Sequence, residues 1–406
     1  MPHSPRMVQL PLSAATSRVT TSAIRDLLSV IARPDLISLA GGLPATELFP
    51  TEAIAAAAAA ELVEDPGQAL QYSATEGYEP LRAWVAARRG AETGQVVVTH
   101  GSQQALDLVM RALVDPGATV ALADPAYVGA VQAIRVAGGK LTGIPADADG
   151  LRVDRLAERL QQGLRPALVY VVSNHDNPSG ATLPEARRRH LADLAERYGF
   201  WIVDDDPYRE LSWGAPLPPP LATFSDQVIT LGSFSKILSP GLRVGYSVTP
   251  PALARSLVLL KQAADLHTSS LSQRITHRVI AAPTFLPSHL PRLTTVYAER
   301  AGALADGLTR SFGDALEFTV PDGGMFIWAR FREPVDTQVL LAAAIDRGVA
   351  FVPGAAFSAG ADHRAAMRVS YATRAPADLR VACDRIADAW QATDTPDLAQ
   401  PTPSRA

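Results

Sequence analysis

The sequence has little lysine, almost no cysteine and no long apolar segment. Lys140, Lys236 and Lys261 are the only lysines among 37 lysine and arginine residues. The single cysteine, Cys383, lies in a helical pattern and excludes a disulfide framework. No apolar run reaches the roughly 18 residues that a membrane-spanning helix needs, and the first residues lack the apolar core of a signal peptide. These absences predict a cytoplasmic protein with no membrane partner.

The charge balance also excludes classes of partner. The formal net charge is −4 and no basic block occurs, so nothing in the sequence predicts nucleic-acid binding. A length of 406 residues suggests two or three domains with an ample core.

A rhythm of short apolar runs and helical patterns fills the middle of the chain. This alternation predicts an α/β fold with a three-layer, mostly parallel sheet, followed by a smaller α+β domain. Polar residues follow each predicted strand, at the edge where such sheets bind ligands. The predicted strands are residues 96–99, 119–122, 167–172, 200–203 and 228–231.

Lys236 is notable because this chain otherwise relies on arginine. It lies between Ser235 and Ile237, shortly after an apolar run, with Arg243 seven residues later. Arginine cannot replace lysine where the chemistry requires a primary amine that forms a Schiff base. A solvated lysine in a serine- and glycine-containing loop is the simpler interpretation of Lys236 alone.

Three aspartates end the predicted strand at residues 200–203. Because side chains alternate along a strand, Asp205 should point away from Asp204 and Asp206. One buried carboxylate could pair with a protonated ring nitrogen, whereas Asp204 and Asp206 could instead share a divalent cation.

Other polar residues lie at turns where either binding or ordinary structure would explain them. Ser102 begins a helix after a strand, which could form an anion site or simply a cap. Asn177 occurs in an Asn-Pro-Ser-Gly sequence that is also a good turn. Tyr127 and Tyr208 could contact an aromatic ring or could be core residues.

The combined motifs resemble the fold-type-I pyridoxal-phosphate aminotransferases of class I/II, and most of all the branch of 2-aminoadipate (LysN-like) aminotransferases. The resemblance covers about residues 18–390. Its motifs are Gly-Ser-Gln-Gln-Ala-Leu from Gly101, Asp-Pro-Ala-Tyr from Asp124, Asn-Pro-Ser-Gly from Asn177, Asp-Asp-Pro-Tyr-Arg-Glu-Leu from Asp205, Gly-Ser-Phe-Ser-Lys from Gly232, Ala-Asp-Leu-His-Thr from Ala264 and Met-Arg-Val-Ser-Tyr from Met367.

The resemblance implies pyridoxal 5'-phosphate as the cofactor and no metal. Lys236 would hold the internal aldimine, Asp205 would pair with the ring nitrogen, and Tyr208 and Asn177 would bind the ring hydroxyl. Tyr127 would stack on the ring. The phosphate would be held by Ser102, Gln103, Ser233, Ser235 and Arg243.

The resemblance also implies a small L-amino acid and a 2-keto acid as substrates of a transamination. Arg368 would bind the α-carboxylate, near Gly42, and Arg25 could meet a distal carboxylate. Tyr72 would reach in from a second subunit, so the active site would need a homodimer.

One stretch departs from the pattern of this branch, because His175 and Asp176 replace an aromatic residue and an amide before Asn177. The change could be drift that preserves the turn, with Asp176 holding His175. Alternatively, His175 could act as an acid or base and redirect the reaction. The outcome would then be a lyase, such as β-elimination on a cysteine conjugate, or an oxidative decarboxylase or deaminase in specialised metabolism.

A third class, the effector-binding part of a transcription regulator, shares this fold, but residues 1–50 are too short and too weakly basic for a winged helix. The predicted organisation is a flexible arm at 1–16 and a segment at 17–50 that joins the small domain. A large cofactor-binding domain at 51–286, a small C-terminal domain at 287–392 and a disordered tail at 393–406 follow.

Overall fold

The computed structural model describes Thr16 and residues 35–393. The predicted arm apart from Thr16, residues 17–34 of the next segment and nearly all of the tail therefore lie outside the described residues. The strands are β1 Ile37–Ser38, β2 Val96–Thr99, β3 Thr119–Asp124, β4 Lys140–Asp147, β5 Gly150–Leu151, β6 Leu168–Val171, β7 Trp201–Asp205, β8 Val228–Ser233, β9 Gly245–Val248, β10 Leu316–Phe318, β11 Phe326–Phe331, β12 Val349–Ala350, β13 Val352–Pro353 and β14 Ala366–Ser370.

Helices alternate with the strands in the first two-thirds of the chain. They are α1 Thr51–Glu64, α2 Pro66–Ala69, α3 Glu79–Arg89, α4 Gly101–Leu113, α5 Val128–Ala137, α6 Val153–Gln161, α7 Glu185–Tyr198, α8 Pro251–Asp265, α9 Ser270–Ile280, α10 Phe285–Phe312, α11 Thr337–Asp346 and α12 Pro376–Thr393. None of the helices described here is long and apolar enough to cross a membrane.

An eight-stranded sheet forms the centre of the larger region, in the order β2-β9-β8-β7-β6-β3-β4-β5. Its inner strands β8, β7, β6, β3 and β4 are parallel, and β9 is antiparallel to both of its neighbours. The predicted mostly parallel α/β sheet is confirmed. Strand β9 was missed because it directly follows the lysine motif and is short.

Both faces of the sheet are buried, which explains the continuous apolar strands. Alternate side chains, such as Leu122 and Val203, pack with helices α4, α5 and α8 on one face. Their neighbours, such as Ala121 and Ile202, pack with α6 and α7 on the other face. Because every second side chain faces a different helix layer, the strands need apolar residues at nearly every position.

The C-terminal region contains a four-stranded antiparallel sheet in the order β10-β11-β14-β13. Strand β1 pairs with β12 in parallel, with Ile37 opposite Val349, so the described start of the chain lies against this region. The predicted boundary at 286–287 falls in the first turn of α10, which begins at Phe285 rather than near Leu290. The division into domains stays a prediction.

Candidate active site

A cavity of about 560 Å³ lies at the carboxyl ends of the parallel strands, where the sequence predicted a ligand. Strands β7 and β8 end at this edge, and the turns after them supply much of its wall. Twelve predicted site residues line the cavity: Gly42, Ser102, Gln103, Tyr127, Asn177, Asp205, Tyr208, Ser233, Ser235, Lys236, Arg243 and Arg368.

The amine of Lys236 is held at the wall of the cavity. Its Nζ donates a hydrogen bond of 2.8 Å to the carbonyl oxygen of Gly42. Burial, with the positive charges of Arg368 and Arg243 acting in the same direction, lowers the pKa of Lys236 to about 8. A larger fraction of this amine is therefore neutral, and so nucleophilic, near neutral pH than for an exposed lysine.

Asp205 ends strand β7 with its carboxylate in the same cavity. The hydroxyl of Tyr170 donates a hydrogen bond of 2.8 Å to Oδ2 of Asp205. The other oxygen, Oδ1, is buried without a protein partner. Burial raises the pKa of Asp205 to about 7, against the opposing effect of the Tyr170 hydrogen bond. A buried acceptor of this kind fits a ligand that brings its own positively charged donor.

The neighbouring aspartates do not line the cavity, as strand alternation predicted, and Asp206 is paired elsewhere. Asp206 accepts a hydrogen bond of 2.7 Å from Asn174 and one of 2.9 Å from Arg89, through its two oxygens. A cation shared by Asp204 and Asp206 would face the guanidinium of Arg89 and displace these donors. The geometry therefore opposes the alternative of a divalent ion.

The opposite end of the cavity offers donors for an anion. Helix α4 begins at Gly101, whose φ of +71° brings its backbone against Arg243. A Cβ at Gly101 would lie 2.8 Å from Nη2 of Arg243, so only glycine leaves this approach open. Ser102 follows in the first turn of the helix, where amide groups and the helix dipole favour an anion.

Serine and tyrosine side chains complete this end. Ser233 Oγ accepts a hydrogen bond of 3.1 Å from the backbone of Ser235. The hydroxyl of Tyr127 donates to Gln103 Oε1 at 3.3 Å. Burial raises the pKa of Tyr127 to about 12, which keeps the phenol neutral and able to donate.

Arg368, on strand β14, links the C-terminal sheet to the cavity. Its side chain is buried and donates to Asn177 Oδ1 at 2.9 Å and to the carbonyl oxygen of Ala40 at 2.5 Å. The guanidinium lies 4.4 Å from the ring centroid of Phe326. Tyr208 packs edge-on against the same ring, with centroids 5.9 Å apart. A rigid cation in this position suits a planar carboxylate.

Two of the predicted site residues that the structure describes, Tyr72 and His175, do not line the cavity. Arg25 lies outside the described residues. Tyr72 is 76% exposed and does not line the cavity. Its ring centroid lies 5.7 Å from that of His267. His175 is completely buried elsewhere.

His175 was predicted at the site but does not line this cavity, and its role stays a prediction. Its backbone φ of +49° lies in the left-handed region. The ring instead touches Gly323, and Nδ1 lies 3.3 Å from the hydroxyl of Thr182 and 3.5 Å from Asp322. Burial lowers the pKa of His175 and favours the neutral ring.

Asp176 does not hold His175 either. Its Oδ2 accepts a hydrogen bond of 2.6 Å from the hydroxyl of Ser179 and one of 3.2 Å from the same residue's backbone. Asp176 therefore closes the turn that presents Asn177.

Sequence reasoning missed Tyr170, Leu43 and Gln132, which also line the cavity. Tyr170 is the most informative of them because it contacts Asp205 directly. A polar phenol in an apolar strand run was the available signal, but tyrosine is common in buried strands.

Comparisons with known proteins agree with this geometry. The sequence profile of the family described as Aminotransferase class I and II matches residues 34–386. A 2-aminoadipate transaminase of Thermus thermophilus is 42% identical over 361 residues, 88% of this chain and 90% of that protein. An aromatic-amino-acid aminotransferase of Thermococcus litoralis is 38% identical over 379 residues, 90% of this chain and 91% of that protein.

A solved structure is similar over nearly its whole length. It is LysN, an alpha-aminoadipate aminotransferase of Thermus thermophilus, complexed with a phosphopyridoxyl-leucine conjugate. The TM-score is 0.88 with 39% sequence identity, covering 94% of this chain and 97% of that chain.

Proposed function

Because the chain belongs to the class I and II aminotransferases, we propose that it moves an amino group between a small L-amino acid and a 2-keto acid at the cavity containing Lys236. The observation that carries the proposal is the set of groups lining this one cavity. A buried amine, a buried carboxylate with one unpaired oxygen, and two guanidiniums lie together there.

The residues fit pyridoxal 5'-phosphate, the cofactor of this family. The unpaired Oδ1 of Asp205 requires a donor, and a protonated pyridine nitrogen is one. The approach of Arg243 to Gly101 leaves a cradle of donors that a Cβ would fill, at a helix start suited to a phosphate. Lys236 supplies the primary amine. When bound, the cofactor supplies an aldehyde that captures the amino group and a ring that accepts electrons.

The residues of the chain have separate tasks in this reaction. Asp205 would keep the ring nitrogen protonated through Oδ1, because Tyr170 already occupies Oδ2. Tyr208 and Asn177 would bind the ring hydroxyl. Tyr127 would pack against the ring. The phosphate would be held by Ser102, Gln103, Ser233, Ser235 and Arg243.

Lys236 and Arg368 act on the amino acid. Arg368 binds the α-carboxylate as a bidentate fork and thereby fixes which bond at Cα faces Lys236. Nζ of Lys236 would take the proton from Cα and hold it for the return transfer that completes the exchange of the amino group. The lowered pKa of this amine supports a role as base, because a larger fraction of the amine is neutral near neutral pH.

The exposed position of Tyr72 supports a homodimer with shared sites. Tyr72 is 76% exposed, so its side chain is free to be buried against a second copy. In the dimer Tyr72 would complete the partner's cavity. Arg25 and Gly42 would then decide which side chain the substrate carries.

The names of the relatives indicate only a class of substrate for this protein. One relative is named for 2-aminoadipate and another for aromatic amino acids, so an acidic or a long side chain is proposed. The lyase alternative is not favoured, because the relatives are aminotransferases and the ring of His175, on which that alternative depended, does not line the cavity.

Spectroscopy and product analysis test the proposal. The purified protein with pyridoxal phosphate should show the visible absorption of a lysine Schiff base, and Lys236→Ala should abolish it. A panel of amino acids should give 2-keto products over multiple turnovers only when a keto acid is supplied, because without it each cofactor can accept a single amino group. An unchanged Schiff-base band in Lys236→Ala, or ammonia and CO2 released without any keto acid, would contradict the proposal.

A further inference from the structure

The Ala264–Thr268 motif has no task in the proposed reaction, yet the structure connects it to the cavity. Asp265 ends helix α8, and Lys261 lies one turn earlier. Lys261 is completely buried, which is unusual for a lysine. Neither residue lines the cavity.

Lys261 forms a fully paired cluster with Asp265 and Gln104. Nζ donates to the two oxygens of Asp265 at 2.8 and 2.9 Å and to Gln104 Oε1 at 3.0 Å. An ammonium has three donors, and three acceptors surround this one. These hydrogen bonds offset the free-energy cost of burying the charge, which an unpaired buried lysine would leave uncompensated.

The cluster contacts the turn at the anion-binding end of the cavity, on the side of the turn that does not line the cavity. Gln104 lies in the first turn of α4, and its Nε2 donates to Asp265 Oδ2 at 2.7 Å. His100, which precedes that helix, contacts the same oxygen through Nδ1 at 2.7 Å. The backbone N–H of His100 also donates to Gln104 Oε1 at 2.8 Å. Both sides of the turn that begins α4 are thus fastened to Asp265.

The opposite side of this turn faces the cavity. Ser102 and Gln103 line the cavity, while His100 and Gln104 bind the cluster. The carbonyl of His100 further accepts a hydrogen bond from Arg243 at 3.3 Å. Any shift of Asp265 would therefore move both the amides of the turn and the arginine beside them.

We propose that Lys261 and Asp265 are positioning residues for the phosphate-binding turn. They hold the start of α4 so that its amides, Ser102 and Arg243 converge on one phosphate. The inference rests on the proposed function, because it assigns the anion at this end to the cofactor phosphate. The cluster touches neither the ring nor the reacting amine.

Cofactor affinity, measured with and without the phosphate, tests the assignment. Cofactor-free protein is titrated with pyridoxal phosphate and with pyridoxal, and binding is followed by absorbance. Lys261→Met should weaken pyridoxal phosphate by roughly tenfold or more, the loss expected when a charge-assisted hydrogen bond is removed. The affinity for pyridoxal should change little. Lys140→Met, at an exposed lysine, is the matched control and should match the parent protein for both ligands.

A second variant keeps the test valid if Lys261→Met does not fold. Gln104→Leu leaves the Lys261–Asp265 pair and its contact with His100 intact but removes the other attachment to the turn, and should give a smaller loss that is still selective for pyridoxal phosphate. Equal losses for both ligands, or no loss in a folded variant, would overturn the positioning role. Failure of the parent protein to bind pyridoxal phosphate would instead overturn the proposed function.

Discussion

The hydroxyl of Tyr170 donates a 2.8 Å hydrogen bond to one carboxylate oxygen of Asp205, and the other oxygen is buried without a partner. The two residues come from adjacent parallel strands, β6 and β7. One oxygen is therefore fixed by the protein, and the other is left for a ligand.

Tyr170→Phe should lower kcat by roughly tenfold, the cost of leaving one buried carboxylate oxygen without its donor. The Tyr170 hydrogen bond lowers the pKa of Asp205, so its loss raises that pKa. The acid limb of the pH profile of kcat/KM should then move to higher pH. Tyr297→Phe, which removes a buried hydroxyl hydrogen-bonded to the backbone of Ala45, is the control and should leave the acid limb in place. An unmoved acid limb in Tyr170→Phe would rule out this role.

Asp205 should make the cofactor-free protein less stable as pH rises. Its pKa is raised from 3.8 to about 7 in the folded protein, so between these values the folded state binds more protons than the unfolded state. The free energy of unfolding should therefore fall with increasing pH across this window. Asp205→Asn should reduce the slope, as measured by urea unfolding at a series of pH values. A slope identical to that of the parent protein would contradict the raised pKa.

Arg368→Lys should raise KM for the amino acid by roughly tenfold to a hundredfold, because an ammonium cannot make the two parallel hydrogen bonds of a guanidinium. Steady-state kinetics with amino acid and keto acid varied separately measures the effect. The affinity for pyridoxal phosphate itself should change much less, since Arg368 is assigned to the substrate. A loss confined to the affinity for pyridoxal phosphate would instead assign Arg368 to cofactor binding.

His175→Phe should leave the products unchanged, because the ring packs against Gly323 and does not line the cavity. Product identification after reaction with an amino acid, with and without a keto acid, is the measurement. If only one of the two proteins formed elimination or decarboxylation products, His175 would be a determinant of the reaction.

Gly323→Ala should destabilise the protein by about 1–3 kcal/mol, because the added Cβ would need to displace a buried ring. That Cβ would lie 2.1 Å from Cε1 and Nε2 of His175. Gly302→Ala, in helix α10 with nothing within 4 Å of the added atom, should stabilise it by about 0.5–1 kcal/mol. Urea unfolding of the two variants measures both effects, and equal values would refute the contact.

The sequence predicted most of the cavity because its residues follow buried strands. Lys236 and Asp205 each follow an apolar run within a few residues. Polar residues that follow parallel strands meet at the same edge of the sheet, so their proximity can be predicted without knowledge of side-chain packing. The same logic recovered the start of α4, where Ser102 begins a helix after β2.

Other features depend on three-dimensional detail that spacing does not encode. Tyr170 lies inside an apolar run, where a phenol cannot be distinguished from a packing residue. His175 precedes Asn177 by two residues, but its ring packs against Gly323 and does not line the cavity. Lys261 and Asp265 have the spacing of an ordinary surface ion pair on a helix, and only the packing of α8 against α4 reveals their burial.

The buried ion pair of Lys261 also changes how the protein can be labelled chemically. Of the three lysines, Lys140 is exposed, while Lys261 is enclosed and its amine is engaged by Asp265 and Gln104. Lys236 lies in an accessible cavity with its pKa lowered to about 8. An acylating reagent selective for neutral amines would thus have Lys236 as its favoured lysine target, and protection of that lysine by pyridoxal phosphate would report occupancy of the cavity directly.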